Sequence, residues 1–229
     1  MYSIYRYFFS VLLACCVTTI LTGQEVKKEK NDSTKSFVLN SVRVEVDVSP
    51  VLTTFLNRGD IFHYEAALQA EINKRFYPVF EMGYAGGNKL TNSGISYSGD
   101  ALFYRLGMDF NIIKNKTDNN SINNFFLVGA RLGYTHFKYD MLNVSFEDDY
   151  WGTSIQKDIQ NKSSNLWFEI TAGIRVEISK NLYIGWTARI KNMLTQTEVG
   201  AYKPWYVAGF GINEDESVWG FNYLIGYKF

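Results

Sequence analysis

Cysteine is almost absent from this chain of 229 residues, and its only two cysteines, Cys15 and Cys16, are adjacent. Both fall in an apolar run that we expect to be removed with a signal peptide. The mature chain would then have no disulfides, thiolate nucleophiles or thiolate metal ligands. Histidine is also scarce, with two residues. No metal-ligand histidine pair occurs, and the sequence predicts no metal and no cofactor.

Two further features are missing: an excess of charge of one sign and a long apolar run after residue 23. The chain has 23 basic and 23 acidic residues, so no basic excess is available and no nucleic-acid partner is predicted. No later uncharged apolar stretch reaches the ~20 residues of a spanning helix. Membrane-spanning strands remain possible, because alternating strands never form apolar runs.

The first 36 residues are expected to direct export. Arg6 followed by the uncharged run 7–21 and a small residue, Gly23, has the layout of a secretory signal peptide over residues 1–23. An uncleaved anchor and a lipobox ending at Cys15 are the alternatives. Residues 24–36 are charged and poor in apolar residues, which predicts a flexible periplasmic leader. Residues 37–229 are left for one barrel domain.

Strict alternation marks the last eleven residues, from Trp219 to Phe229. Every odd position is large and apolar or aromatic, and every even position except Leu224 is small or polar. This period predicts a strand with one apolar face. An aromatic final strand that ends in Phe is typical of outer-membrane barrels, whose assembly machinery would read it. The predicted insertion signal consists of Phe221, Tyr223, Ile225, Tyr227 and Phe229.

Seven earlier segments alternate in the same way, and together they predict an all-β, eight-stranded antiparallel up-and-down transmembrane barrel. Most segments approach the ~9–11 residues that a tilted strand needs to cross a membrane. The eight segments are Val42–Val48, Phe62–Ile72, Phe76–Tyr84, Leu102–Phe110, Phe126–Tyr134, Leu166–Ile178, Leu182–Ile190 and Trp219–Phe229.

Long and short connections alternate along the chain. Long loops are predicted at 50–61, 85–101, 139–165 and 192–218, and tight turns at 73–74 and 179–181. Short periplasmic turns and long outer loops are typical of barrels in the outer membrane of Gram-negative bacteria, where we expect this protein. The polar segment 114–123 is interpreted as an enlarged periplasmic turn.

The polar face of these segments carries nearly balanced charge and is rich in glycine. A soluble ligand-binding barrel would alternate too, but glycine and ion pairs suit the crowded lumen of a narrow membrane barrel. The apolar face would contact outer-membrane lipid and lipopolysaccharide. The predicted lumen ion-pair network consists of Arg43, Glu45, Asp47, His63, Glu65, Glu71, Glu81, Arg105, Asp109, Arg131, Glu169, Arg175, Glu177 and Arg189.

With these patterns the chain resembles the small OmpA/OmpX-like outer-membrane barrels, and especially their uncharacterised families of unknown function. The resemblance covers about residues 37–229. It rests on the hairpin pattern, on Tyr104–Phe110 (YRLGMDF), on Pro204–Gly211 (PWYVAGFG) and on Phe229. It implies no catalytic motif.

Function is therefore expected to be non-enzymatic: structural, adhesive or partner-binding through the outer loops. The loop aromatics Tyr150, Trp151, Trp205 and Tyr206 are candidate contacts for an extracellular protein or glycan. Packing between loops is the alternative explanation for them. A lipid-modifying enzyme that uses His136, with Ser145, Ser163 or Ser164 in the adjoining loop, is a competing hypothesis, and a small channel is a third.

Overall fold

Eight strands form one closed antiparallel barrel in the computed structural model, which describes residues 38–51, 60–73, 75–92, 94–113, 124–147, 154–196 and 202–229. Each strand pairs with its neighbours in the chain, and the first and last barrel strands pair to close the ring. The barrel strands are β1 Leu39–Asp47, β2 Ile61–Ile72, β3 Phe76–Leu90, β4 Ser96–Asn111, β5 Phe125–Glu147, β6 Ser154–Ser179, β7 Leu182–Gln196 and β10 Ser217–Lys228. The predicted fold class is confirmed.

A separate two-stranded hairpin lies between β7 and β10. Its strands are β8 Tyr206–Val207 and β9 Gly211–Ile212, and they pair with each other. Among the described residues, no helix has the length and apolar character of a membrane span.

The two ends of the barrel differ. The turns at 73–75 and 180–181 lie at one end, together with the start of β1 and the carboxyl end of β10, and we call this the turn end. The opposite end carries the connection 91–95, the β8–β9 hairpin and the far part of β5 and β6, and we call it the ribbon end. The expected signal peptide, leader and enlarged turn lie outside the described residues.

Two predicted loops are wrong because strands continue through them. Residues 85–101 form the upper parts of β3 and β4, which pair without interruption from Phe76–Phe110 to Leu90–Ser96. Most of residues 139–165 belongs to β5 and β6, which pair as far as Glu147 and Ser154. Both stretches are rich in polar residues and glycine, although Ala85, Tyr97 and Tyr139 are buried in the apolar cluster at this end. We call Asp140–Glu147 and Ser154–Ser164 the ribbon.

The outer face of the barrel is apolar over a continuous belt. On β10 the side chains of Trp219, Phe221, Tyr223, Ile225 and Tyr227 point outward and are exposed, and Phe229 follows them. From Trp219 to Phe229, about 3.3 Å per residue at about 40° of tilt gives a belt about 25 Å tall. Cross-strand Tyr64–Tyr84 and Tyr104–Tyr134 pairs lie toward the ribbon end, and the Phe76–Phe110 pair lies at the turn end. These rings form girdles at both rims.

Candidate functional site: the filled lumen and its ribbon-end mouth

Ion pairs fill the middle of the barrel. Glu81 contacts three guanidinium groups: those of Arg105 at 2.9 Å, Arg131 at 3.1 Å and Arg189 at 2.9 Å. Arg105 also reaches Glu65 at 2.7 Å and Glu169 at 2.8 Å. Arg189 is within 3.0 Å of Glu169 and 3.3 Å of Glu65. All of these side chains are buried, so each charge is compensated by close partners from other strands.

A second group of pairs continues the network toward the turn end. Arg175 forms a two-bond contact with Glu45, at 2.8 Å for each bond. Arg131 holds Asp109 in the same forked way, at 2.7 and 2.8 Å. Gln69 links Arg43 to the Arg131–Asp109 pair. Its side chain accepts a bond from Arg43 at 2.6 Å and donates one to Asp109 at 2.7 Å. Forked geometry adds strength and fixes orientation.

Aromatic rings close the lumen below this network. The guanidinium carbon of Arg43 lies 5.8 Å from the ring centre of Tyr77, 5.0 Å from that of Phe125 and 5.3 Å from that of Tyr183. These three rings and Leu127 form a buried cluster. Among the described residues Nη1 of Arg43 has no hydrogen-bond partner, and the ring faces compensate part of its charge.

The β8–β9 hairpin folds into the ribbon end. Val207, Ala208 and Phe210 are buried against Phe103 and Trp167, which point inward from β4 and β6. Gly209 lies at the tip with φ of +79°, and a Cβ there would meet the Phe103 ring closely. Glycine therefore satisfies both the backbone conformation and the close approach. The hairpin forms an apolar layer above the ionic one.

Polar side chains of the barrel anchor this hairpin. Lys191 donates to the carbonyl oxygens of Gly209 at 2.8 Å and Phe210 at 3.0 Å, and Arg105 donates to that of Gly209 at 2.9 Å. Tyr97 donates to the carbonyl of Tyr206 at 2.7 Å. Burial raises the pKa of the Tyr206 phenol.

A cavity of about 230 Å³ remains beside the hairpin at the ribbon end. Ser49, His63, Lys191, Tyr206 and Asn222 are among the residues that line it. His63, which lines this cavity, and the buried Asp47 and Glu65 each offer a potential metal ligand, and the three ligand atoms lie within 4.8 Å of one another.

On the outer face of the barrel, His136 lies opposite Ser164 in the β5–β6 register. Nδ1 of His136 is 2.7 Å from Oγ of Ser164, and the imidazole is exposed. Ser163 points inward instead, where it donates to Asn165 at 2.8 Å. Ser164 is thus the serine that the structure places beside this histidine.

The structure brings twelve of the fourteen proposed lumen residues into buried positions. His63 is half-buried at the ribbon end, with its Nε2 3.0 Å from Glu65. Glu71 pairs with Lys228 at 3.1 Å near the turn end. Glu177 lies outside the central network, half-buried beside the 180–181 turn, where it accepts a bond from the backbone of Asn181 at 3.2 Å.

Two loop aromatics differ from the expectation of exposed contact residues. Tyr206 is 5% exposed, because the β8–β9 hairpin carries it into the barrel mouth. Trp205 is half-buried, and it packs against Tyr97 with Lys89 Nζ 4.4 Å from its ring centre. The packing explanation therefore holds for both. Tyr150 and Trp151 lie outside the described residues.

Sequence reasoning missed the apolar layers of the lumen. Phe103, Trp167, Tyr77, Phe125 and Tyr183 are inward-facing aromatics in strands whose other inward residues are mostly polar or glycine. The sequence contained one sign of these inward rings. Phe103 and Trp167 stand two residues before Arg105 and Glu169, so the alternation places them on the same inward face. A glycine opposite a large ring was a second sign. Gly133 pairs with Trp167, and a Cβ at Gly133 would collide with the indole.

An eight-stranded barrel with an apolar outer belt and a buried ion-paired interior defines a class, the small transmembrane β-barrels. Within it, the chain belongs to a family described as a domain of unknown function (DUF6048), whose model matches residues 4–229. The comparison with curated proteins finds no match.

Three solved structures are similar to this chain at low identity. The attachment invasion locus protein Ail of Yersinia pestis, solved with the heparin analogue sucrose octasulfate, matches 82% of this chain and 97% of its own at 11% identity, with a TM-score of 0.39. A major outer membrane protein of Thermus thermophilus matches 82% of this chain and 98% of its own at 13% identity, with a TM-score of 0.45. CarO2 of Acinetobacter baumannii matches 85% of this chain and 100% of its own at 15% identity, with a TM-score of 0.39.

Proposed function

We propose that this protein is a closed, non-enzymatic barrel of the Gram-negative outer membrane that binds an extracellular protein through the ribbon. The supporting observation is the filled lumen. Aromatic rings, ion pairs and the apolar hairpin occupy three successive levels from the turn end to the ribbon end. Side chains packed at all three levels support a closed barrel, and a closed barrel leaves its loops and outer surfaces for binding a partner. The turn end would face the periplasm, with β10 read by the assembly machinery.

The ribbon offers a binding edge. In the described part of the chain, β6 pairs with β7 only from Asn165 onward, whereas it pairs with β5 as far as Ser154. Ser154–Ser163 therefore has one edge of backbone donors and acceptors without a described strand beside it, and this edge spans about 30 Å at about 3.3 Å per residue. Exposed strand edges bind extended segments of other proteins by adding a strand.

Planar-bilayer recording tests closure. The refolded full chain should insert without conductance steps, because the ionic layer and the hairpin both block the lumen. A porin reconstituted under the same conditions provides the positive control. Regular single-channel steps from the purified protein would support the channel hypothesis instead.

Surface display tests binding. Cells that expose the full chain should retain extracellular proteins from their natural surroundings, and cells with a shortened ribbon should not. The shortened chain replaces residues 142–158 by Asn-Gly, which joins the paired residues Met141 and Ile159 through a two-residue turn. Equal retention by both cell types would contradict the assignment of the ribbon as the binding element.

Lipid modification by His136 is the second candidate function, and the 2.7 Å contact with Ser164 favours it. A serine activated by histidine can attack an acyl ester. In the described part of the chain, however, no carboxylate or amide contacts the second ring nitrogen, which such a mechanism needs for orientation. Mass spectrometry of lipid A and phospholipids compares cells that carry the unmodified protein with cells that carry His136→Ala. An acyl modification that the variant loses supports the enzyme, and identical acyl patterns in the two cell types eliminate it.

A further inference from the structure

Asp47 is a buried carboxylate with an incomplete set of charged partners. Its side chain is fully buried, and Oδ1 accepts bonds from the backbone nitrogen of Ser49 at 2.9 Å and its hydroxyl at 2.6 Å. Oδ2 accepts a bond from Asn222 at 2.5 Å. All three donors are neutral. Among the described residues, the only ionisable group paired with Asp47 is His63, at 3.9 Å. A buried carboxylate normally needs a closer cation.

The spacing around His63 matches that of metal ligands. Nε2 of His63 lies 3.9 Å from Oδ2 of Asp47 and 3.0 Å from Oε2 of Glu65. A distance of 3.9 Å is too long for a hydrogen bond. Two ligands bound tetrahedrally at about 2.0–2.1 Å to one Zn²⁺ are about 3.3 Å apart. The 3.0 Å contact between His63 and Glu65 is a hydrogen bond that an ion would replace, and the gap between His63 and Asp47 accommodates an ion with small adjustments.

Surrounding side chains hold these ligands in place. The His63 ring stacks on Phe103 with ring centres 5.2 Å apart and an angle of 22°. Asn222 and Ser49 orient the Asp47 carboxylate through the bonds described above. Arg189 binds the other oxygen of Glu65 at 3.3 Å. Partners that orient the ligands in this way are a regular part of metal sites.

The cavity beside His63 gives the cluster an opening. His63 and Asn222 line the cavity of about 230 Å³ at the ribbon end, and the His63 side chain is 22% exposed. An ion could enter there, and water could occupy the coordination positions that the protein leaves free. The cluster thus combines three ligands, an orienting shell and an entry path.

We propose that Asp47, His63 and Glu65 bind a first-row divalent transition-metal ion of the Zn²⁺ type at the ribbon-end mouth of the barrel. Imidazole with carboxylates selects such ions over Mg²⁺ and Ca²⁺, which prefer all-oxygen sets. Arg105 contacts the same Glu65 oxygen at 2.7 Å. Glu65 therefore contributes the weakest of the three bonds, and Asp47 and His63 contribute most of the affinity.

Metal titration of the full chain, refolded into detergent and stripped with EDTA, tests this site. Calorimetry with Zn²⁺ should show one equivalent bound. His63→Ala and Asp47→Asn should each lower the affinity by about 100-fold or more, and Glu65→Gln by about 10-fold. His136→Ala is the matched control, because it removes the other histidine from the outer face, and it should bind like the unmodified chain. Heat-modifiable migration on gels checks that each variant is folded.

The coordination sphere provides a second readout. X-ray absorption of the Zn²⁺-loaded chain should show one imidazole among oxygen and nitrogen ligands, and excess Mg²⁺ should not displace the ion. The proposal is overturned if the unmodified chain takes up no Zn²⁺ or Co²⁺. It is equally overturned by unchanged affinity in folded His63→Ala or by displacement with Mg²⁺.

Discussion

Single residues in this lumen act as members of a network. Glu81 lies between three guanidinium groups, and Arg105 lies between three carboxylates and a backbone carbonyl. Replacing one member leaves its partners buried and undercompensated, which costs more than the lost bond. The contribution of a lumen residue therefore depends on how many charged partners it serves.

Glu81→Gln tests this dependence. The substitution keeps the shape of the side chain but removes the charge that three arginines share, so the free energy of unfolding should fall by about 3–5 kcal/mol. Urea titration of the protein in lipid vesicles, followed by tryptophan fluorescence, measures the loss.

Glu177→Gln is the control for that experiment. Glu177 is half-buried beside the 180–181 turn and receives a bond from the Asn181 backbone, which an amide oxygen can also accept. The free energy of unfolding of Glu177→Gln should stay within about 0.5 kcal/mol of that of the unmodified chain. Equal losses in the two variants would contradict a stabilising role for the central network.

At the scale of elements, the β8–β9 hairpin and the ribbon have opposite relations to the barrel. The hairpin is buried in the mouth and bonded to Lys191 and Arg105. In the ribbon, the β6 residues that precede Asn165 pair, among the described residues, with β5 alone. We therefore expect the hairpin to shield the interior and the ribbon to be dispensable for folding.

Removal of the hairpin should expose Trp167, which packs against Phe210. The test uses a chain in which Trp167 is the only tryptophan, with residues 203–212 replaced by a Gly-Ser linker of equal length. Aqueous acrylamide should quench its fluorescence strongly, and should quench it weakly in the same chain with the hairpin intact. Equal quenching of the two chains would show that the hairpin does not cover this ring.

Shortening of the ribbon should leave the barrel stable. The replacement of residues 142–158 by Asn-Gly removes paired residues above the mouth but none of the lumen ion pairs. The free energy of unfolding in vesicles should change by less than about 1 kcal/mol. A larger loss would mean that the ribbon supports the barrel.

The sequence predicted the barrel strands better than their ends. Alternation specified all eight barrel strands and their faces, because burial on one side imposes period two. It failed in residues 85–101 and 139–165, where polar β-ribbons look like loops. The hairpin at Tyr206–Ile212 was also missed, because its aromatics resemble exposed loop residues until the barrel mouth that receives them is known.

At the scale of the whole molecule, the fold inverts the usual placement of side chains. Buried charges occupy the inside, while Phe80, Leu106, Trp186 and Phe221 are exposed on the outside. This arrangement is stable only where hydrocarbon replaces water around the belt. The candidate metal ligands were predictable as lumen residues, but their convergence depends on the pairing of β1 with β2 and on the tilt of the barrel.

Quenching by lipids brominated in mid-chain tests this inversion most directly. Two single-tryptophan chains are reconstituted in such vesicles, one that keeps Trp186, which is 42% exposed in the belt, and one that keeps Trp167, which is 0% exposed in the lumen. We expect strong quenching of Trp186 by the brominated lipid and little of Trp167. Quenching of Trp167 by lipid, or protection of Trp186 together with quenching by aqueous iodide, would contradict the account.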